Sequence, residues 1–274
     1  MGLRGRIGLT VVVGALGVVA AGCGAASSPP AAAPTTHVHH DKARLSTNTA
    51  HSTPAPSPPS APSPPSPPSP PVPAGTLVAT TKGSIPGFAT AGALAPSTTV
   101  PGTWYGYPTE LPVITTEQGW LEVRLAQRPN GSTTWVRDQD VTLTNTPYAV
   151  VVDLTTMHLL VYDDGTQLFD FPAGIGAPDD PTPPGQYFMT MQYPPPSPGY
   201  GPFVLVTSDH SDSITDWENS GDAIIAIHGP IDSYDDSLIG NTGAAISHGC
   251  IRLHDADLAQ LAMIPAGTPI DVVS

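Results

Sequence analysis

From Ser57 to Pro71 the chain runs as near-repeats of Ser-Pro-Pro, and this tract limits where a packed domain can be built. Proline fixes φ and lacks a backbone donor, so it is excluded from helix interiors and central strands. The 35 prolines are far above the usual share for 274 residues, but they are concentrated, which leaves the remainder free to fold. Residues 24–75 are dominated by Ala, Ser, Thr and Pro and cannot pack a core. Such a segment favours extended polyproline II at about 3.1 Å per residue, so about 50 residues reach on the order of 100–150 Å. We expect a tether here and folded structure beyond it. His37, His39, His40 and Asp41 lie within the tether and read as a solvated polar run.

The formal net charge is −14, with only 9 Lys and Arg residues. That excludes a nucleic-acid surface, which needs clustered cations. Ahead of the tether, Met1 to Arg6 is short and basic, and Ile7 to Gly22 is apolar. This is the order of a signal peptide's charged and hydrophobic regions. The apolar run, roughly 15 residues, is shorter than the ~20 that span a bilayer as a helix. It ends at Ala20-Ala21-Gly22-Cys23, which resembles the lipobox of bacterial lipoproteins, with Ala20 where Leu is more usual. The resemblance implies residues 1–23 as signal peptide and lipobox, lipidation at Cys23, and export. The protein would then sit on the outer face of the cytoplasmic membrane and act in the wall or periplasmic space. Two or more acyl chains hold a protein at a membrane firmly. The second cysteine, Cys250, stands alone, so no structural disulfide is expected.

Residues 76–145 have a different texture. Leu121, Val123 and Leu125 alternate through Gly119 to Leu125, the pattern of a half-buried strand. Asn130-Gly131 is a strong hairpin signal, and Thr133 to Arg137 reads as the return strand. Short strands around a tight turn predict a small β-barrel. Gly119 to Val136 resembles the bacterial SH3-like modules that accompany cell-wall enzymes. Trp104, Tyr105 and Tyr107 are available to contact glycan or peptide, or to pack as core and rim.

Residues 146–274 form the second expected domain. Strands are predicted at Ala149–Leu154, His158–Tyr162, Gln167–Phe171, Tyr187–Gln192, Phe203–Thr207 and Thr268–Val273. Asp255 is expected to cap a short helix with Leu258, Leu261 and Ala262 on one face. Tyr193 to Pro202 is rich in Pro and Gly, either a mobile rim or a plain surface loop.

Ala223 to Ile227 is a buried strand by composition, and it stops at His228-Gly229-Pro230. Cys250 lies downstream in Ser247-His248-Gly249-Cys250-Ile251-Arg252-Leu253. A cysteine and a histidine brought together make a nucleophile and its base. The imidazole is expected to raise the thiolate fraction and later to return the proton to a leaving amine. On residue type alone, a lone cysteine such as Cys250 is more often an inert buried thiol, and a lone histidine such as His228 a hydrogen-bonded core residue.

The His-Gly pair followed by Ser-His-Gly-Cys-Ile-Arg-Leu resembles the L,D-transpeptidases of the bacterial cell wall. A second point of resemblance is Ala173-Gly174-Ile175-Gly176 with Thr182-Pro183-Pro184-Gly185-Gln186-Tyr187. The resemblance implies a mainly β fold, an antiparallel β-sandwich with a short helix. It also implies Cys250 as nucleophile, His228 as base, and the Gly229 carbonyl as the group orienting the ring. Backbone N–H groups of His248, Gly249 and Cys250 are the implied oxyanion donors, and Ser247 and Arg252 the implied substrate contacts. Arg252 is open between a substrate carboxylate and an acid such as Asp255 or Asp257. Asp232, Asp235 and Asp236 could attract an incoming amine or simply be solvated.

The implied substrates are peptidoglycan stem peptides, joined between third residues through a cysteinyl thioester with release of D-alanine. Water as acceptor would make an L,D-carboxypeptidase, and a protein amine a protein-to-peptidoglycan transferase. Carbapenems are the implied covalent inhibitors; no cofactor, metal or nucleic acid is expected. Two rivals stand beside this reading. One is a zinc enzyme using His228, His248, Cys250 and His254. The other is a non-catalytic wall-binding module.

Overall fold

The computed structural model describes residues 75–240 and 244–274. The expected signal peptide, Cys23 and nearly all of the tether lie outside the described residues. Among the described residues, no helix is long and apolar enough to cross a membrane.

The N-terminal part holds β1 (Thr76–Thr81), β2 (Ile85–Gly87), β3 (Thr98–Val100), β4 (Thr103–Trp104), β5 (Tyr107–Pro108), β6 (Glu110–Glu117), β7 (Trp120–Arg124), β8 (Thr133–Arg137) and β9 (Val141–Thr146). Five of these form one antiparallel sheet in the order β8-β7-β6-β1-β9. The alternation at Leu121, Val123 and Leu125 is realised: all three are buried, with Ala79, Leu111, Val136 and Val141, in one cluster. Hydrogen bonding does not close the sheet, since β8 and β9 are its edges. Phe88 instead bridges Trp135 and extends the β8 edge into the β2–β3 ribbon. The Asn130-Gly131 pair does not form the two-residue turn its sequence predicts. It sits within an eight-residue connection, 125–132, closed by Leu125 N–H donating to the Ser132 carbonyl at 2.8 Å.

The second part holds β10 (Tyr148–Asp153), β11 (His158–Asp163), β12 (Thr166–Pro172), β13 (Ile175–Gly176), β14 (Gly185–Tyr193), β15 (Val204–His210), β16 (Ile224–His228), α1 (Ser233–Leu238), β17 (Ala245–Ser247), β18 (Ile251–Arg252), α2 (Asp255–Gln260) and β19 (Pro269–Val273). The expected sandwich is one continuous eight-stranded sheet, ordered β12-β11-β10-β19-β14-β15-β16-β18. Its turning point is β14. Gly185 to Phe188 pair with β19, whereas Met189 to Tyr193 pair with β15. Side chains from both halves, Val152 and Leu159 from one and Leu205, Ile227 and Ile251 from the other, meet in a single core. Two contacts are parallel, β10–β19 and β16–β18; the other ladders of this sheet are antiparallel.

Strand period explains how the two parts join. Successive side chains of a strand point to opposite faces. On β14, Tyr187 and Met189 enter the core of the large sheet, while Phe188 enters the core of the N-terminal sheet. The joint is extended by Thr146 Oγ1 and Thr268 Oγ1 at 3.2 Å and by Arg124 donating to Gln186 Oε1 at 3.0 Å.

Helix α2 differs from expectation in detail. Asp255 is its first helical residue and His254 the cap, without a side-chain capping bond. Leu258 and Leu261 are buried, but Ala262 is exposed, because the helix tightens into a 3₁₀ turn at Leu261–Met263 and rotates it outward.

Candidate active site

Four of the five residues of β16 are buried, as its unbroken apolar run demands. The strand ends on His228, and the chain then turns at Gly229. A side chain at 229 would meet Asp255 Oδ1 at 2.5 Å and the Gly201 backbone nitrogen at 2.8 Å, so only glycine fits. Parallel to β16 runs β18, with Ile227 opposite Ile251 and His228 opposite Arg252. Leu253 N–H donates to the His228 carbonyl at 2.9 Å. This register sets Cys250 at the entrance of β18, beside the end of β16.

The His228 ring is buried, and its Nδ1 lies 2.6 Å from the Gly229 carbonyl oxygen. A carbonyl only accepts, so Nδ1 carries the proton and Nε2 keeps a lone pair. Burial lowers the His228 pKa to about 4; the Gly229 hydrogen bond opposes this, and the Arg252 charge adds to it. Burial also pushes the Cys250 thiol above its ordinary value, against a backbone hydrogen bond from Ala226 and the Arg252 charge. The expected rise in thiolate fraction is therefore not found. The resting pair is a neutral thiol and a neutral imidazole, because low polarity around both groups disfavours separated charge.

The loop carrying Cys250 is held by two hydroxyls. Thr182 is buried; its Oγ1 accepts from Gly176 N–H at 2.9 Å and donates to the Gly249 carbonyl at 2.7 Å. Ser247 Oγ donates to the Cys250 carbonyl at 2.6 Å and accepts from Gly249 N–H at 3.1 Å. Ser247 therefore faces the main chain of the loop. It also removes Gly249 from the expected oxyanion donors, since that N–H is already engaged. The Cys250 and His248 N–H groups have no hydrogen-bond partner among the described residues. Gly249 has φ +108°, and a Cβ there would lie 2.5 Å from Ile225 Cδ1. The positive φ favours glycine, while the Ile225 methyl can turn aside.

Arg252 pairs with Asp235 of α1, not with Asp255 or Asp257. The partner changes because α1 lies over β18, whereas Asp255 is turned towards Gly201 and Gly229. Asp232 caps α1, accepting from the Tyr234 and Asp235 N–H groups at 2.9 Å each, and Asp236 meets His254 Nδ1 at 2.7 Å. All three acids, considered either as attractors of an amine or as solvated, are thus engaged within the chain. His248 is 62% exposed by its side chain and lies against Trp217, ring centroids 5.3 Å apart. Among the described residues, no three His, Cys, Asp or Glu side chains converge to hold a metal ion.

His228 and Cys250 line one pocket of about 270 Å³ with Tyr200, Trp217, His248 and Arg252. Tyr200 and Trp217 were not legible as site residues. Tyr200 comes from the Pro- and Gly-rich loop, which is tied to the strand exit by Gly229 N–H to the Tyr200 carbonyl and Ile231 N–H to the Gly199 carbonyl. Its ring packs on His228 at 4.6 Å. Burial raises the Tyr200 pKa, and the neighbouring Cys250 adds to the shift. Tyr105, at the tip of the β4–β5 hairpin, also lines the pocket, while Trp104 does not. Tyr107 packs against Tyr193, ring centroids 6.0 Å apart.

Residues 147–272 match the family model of YkuD, the L,D-transpeptidase catalytic domain. A Bacillus licheniformis protein provisionally named L,D-transpeptidase YkuD is 26% identical over 127 residues, which are 46% of this chain and 66% of that protein, just under two thirds of its length. Among solved structures, an L,D-transpeptidase from Mycobacterium smegmatis aligns with a TM-score of 0.37 and 20% identity, over 60% of this chain and 82% of that one. The catalytic domain of an E. faecium L,D-transpeptidase aligns with a TM-score of 0.34 and 23% identity, over 45% and 95%.

Proposed function

We propose that this chain, whose residues 147–272 match the L,D-transpeptidase catalytic domain, is an acyltransferase that cross-links peptidoglycan stem peptides through Cys250. The observation that carries the reading is the shared pocket of Cys250 and a His228 whose tautomer leaves Nε2 free to accept. As the Cys250 sulfur attacks the carbonyl of the third stem residue, its proton passes to His228 Nε2. General-base transfer during attack suits a pair that is neutral at rest. The tetrahedral oxyanion is met by the Cys250 N–H, with His248 N–H as a second donor; one such donor is worth about 2.7–4 kcal/mol. Collapse breaks the bond to D-alanine, whose nitrogen takes the proton from Nε2. A side-chain amine of a second stem then attacks the thioester and loses a proton to Nε2; the C–S bond breaks, and the leaving sulfur takes that proton from Nε2 to regenerate the thiol.

Water at the same step would give trimming, and a protein amine would give attachment of that protein to the wall. A strained β-lactam carbonyl, as in a carbapenem, is an acylating agent for the same sulfur. Residues 76–145 are read as an SH3-like module and residues 1–23 as an export signal with lipid attachment at Cys23. The enzyme would thus be tethered to the outer face of the cytoplasmic membrane by residues 24–75. Incubation with purified disaccharide-tetrapeptide, followed by mass analysis, tests the reading. A dimer with loss of D-alanine is expected. Tripeptide alone would assign the trimming activity, and unchanged substrate would overturn the proposal.

A further inference from the structure

The β7–β8 connection, residues 125–132, reaches out of the N-terminal sheet into the catalytic half. Its Arg128 grips both ends of segment 211–222, and its Asn130 holds Asp209 and His210 just before it. Arg128 Nε donates to Asp222 Oδ1 at 2.9 Å, and its two terminal nitrogens donate to the Ser211 and Ile214 carbonyls at 2.8 and 3.0 Å. Asn130 Nδ2 donates to the His210 carbonyl at 2.8 Å and to Asp209 Oδ1 at 3.1 Å, while its Oδ1 accepts from His210 N–H at 3.0 Å. The segment so held carries Ile214, Trp217 and Ser220, all of which line the Cys250 pocket. Its own backbone bonds are short-range: Ser211 to Ala223, Trp217 to Asp222 and Ser220 to Trp217. Its side-chain bonds are also local, Asp222 meets His210 Nδ1 at 2.8 Å, and Trp217 touches His248 by ring contact alone; a loop closed mainly by such local bonds samples many conformations unless contacts from outside fix it.

We propose that Arg128 and Asn130 are positioning residues for this site. They hold the Trp217 wall in place, so the N-terminal module governs how substrate fits over Cys250. The arrangement matches the chemistry of the two side chains. The planar guanidinium reaches three acceptors at once, which a lysine ammonium on its flexible stem does not reproduce. The Asn130 amide uses both its donor and its acceptor, reading two consecutive residues, Asp209 and His210. Tyr105, from the same module, completes the pocket rim. The kinetic part of the proposal rests on the acyltransferase reading; the structural part does not.

The test uses the full chain with Arg128→Met, Arg128→Lys and Asn130→Ala. Amide hydrogen exchange in 212–221 is expected to rise at least about ten-fold, with β16 keeping its protection. KM for the tetrapeptide is expected to rise on the order of ten-fold with kcat within about three-fold. Alkylation of Cys250 by iodoacetamide, too small to need the wall, is expected to stay within about two-fold. Arg128→Lys preserves charge and folding and is expected to show the same pattern at smaller size. Unchanged exchange in 212–221 would overturn the proposal, as would exchange that rises while KM stays constant. Alkylation slowed in step with kcat/KM would also overturn it, because the damage would then lie at the thiol. A wild-type protein inert towards tetrapeptide would defeat the acyltransferase reading alone, and the exchange data would still decide whether these residues position the wall.

Discussion

Replacing Thr182 with Val keeps the shape of the side chain and deletes the hydroxyl that joins the Gly176 turn to the cysteine loop. The hydroxyl makes two buried hydrogen bonds, at 2.9 Å from Gly176 N–H and 2.7 Å to the Gly249 carbonyl. Its loss leaves a backbone donor and a backbone acceptor without that partner in a site from which water is excluded. Each unsatisfied group costs about 1–3 kcal/mol. The two share one atom and the loop can relax, so we expect a total of about 2–4 kcal/mol. In a folded unit of this size that lowers Tm by about 4–16 °C. The effect on reactivity is separable from the effect on stability. Gly249 precedes the sulfur, so release of its carbonyl displaces the Cys250 N–H from the oxyanion position. We expect kcat/KM to fall by about 10²-fold, near the lower limit for losing one oxyanion donor. Urea unfolding gives the stability change, and turnover at a temperature well below the new Tm gives the catalytic one. A Thr182→Val protein within about 0.5 kcal/mol of wild type would refute the reasoning, since that is the range of a substitution that touches nothing.

Further perturbations follow from burial and charge. In the free enzyme, alkylation of Cys250 should rise with pH to above pH 9 with no plateau between pH 5 and 7, because burial raises its thiol; a plateau there would mean a preformed thiolate–imidazolium pair. His228 has its folded pKa depressed to about 4. Its contribution to stability is complete above about pH 6.5 and disappears as pH falls through about 4, a loss of about 3 kcal/mol, so urea midpoints of wild type and His228→Gln should converge across that window. Asp209 shows the opposite sign: burial raises its pKa to about 8, the folded state holds the proton, and stability should fall as pH rises from about 4 to 8. Asp209→Asn should remove that slope, and a slope that persists would place the titration elsewhere. Phe188→Ala, at the side chain that β14 lends to the N-terminal core, should cost about 3–5 kcal/mol and separate the two parts into distinct calorimetric transitions; one unsplit transition would contradict the shared core.

Where local chemistry dictated structure, the sequence was legible. The hydrophobic alternation at Leu121, Val123 and Leu125, the apolar run into His228 and the meander from Tyr148 to Phe171 all lie where their periodicity puts them. His228 and Cys250 were singled out by the resemblance of their flanking motifs, since residue type alone favoured inert readings of both. What escaped reading depends on contacts distant in sequence. Tyr200 and Trp217 reach the pocket only after loops pack over β16, and Arg252 chose Asp235 over nearer acids because α1 covers it. Asn130-Gly131 reads locally as a tight turn, yet Asn130 is spent on residues 79 and 80 positions away. Strand β14 was legible as Tyr187–Gln192, but its place in two cores was not, since a strand covered on both faces has no alternation to read.

The most direct test of the account is a quenched reaction of wild type with tetrapeptide, followed by peptide mapping across Ser247–Leu253. The predicted result is an acyl-tripeptide mass on the peptide containing Cys250, formed with one equivalent of D-alanine and absent from Cys250→Ala. Release of D-alanine by Cys250→Ala at the wild-type rate, or an adduct on any other residue, would contradict the account.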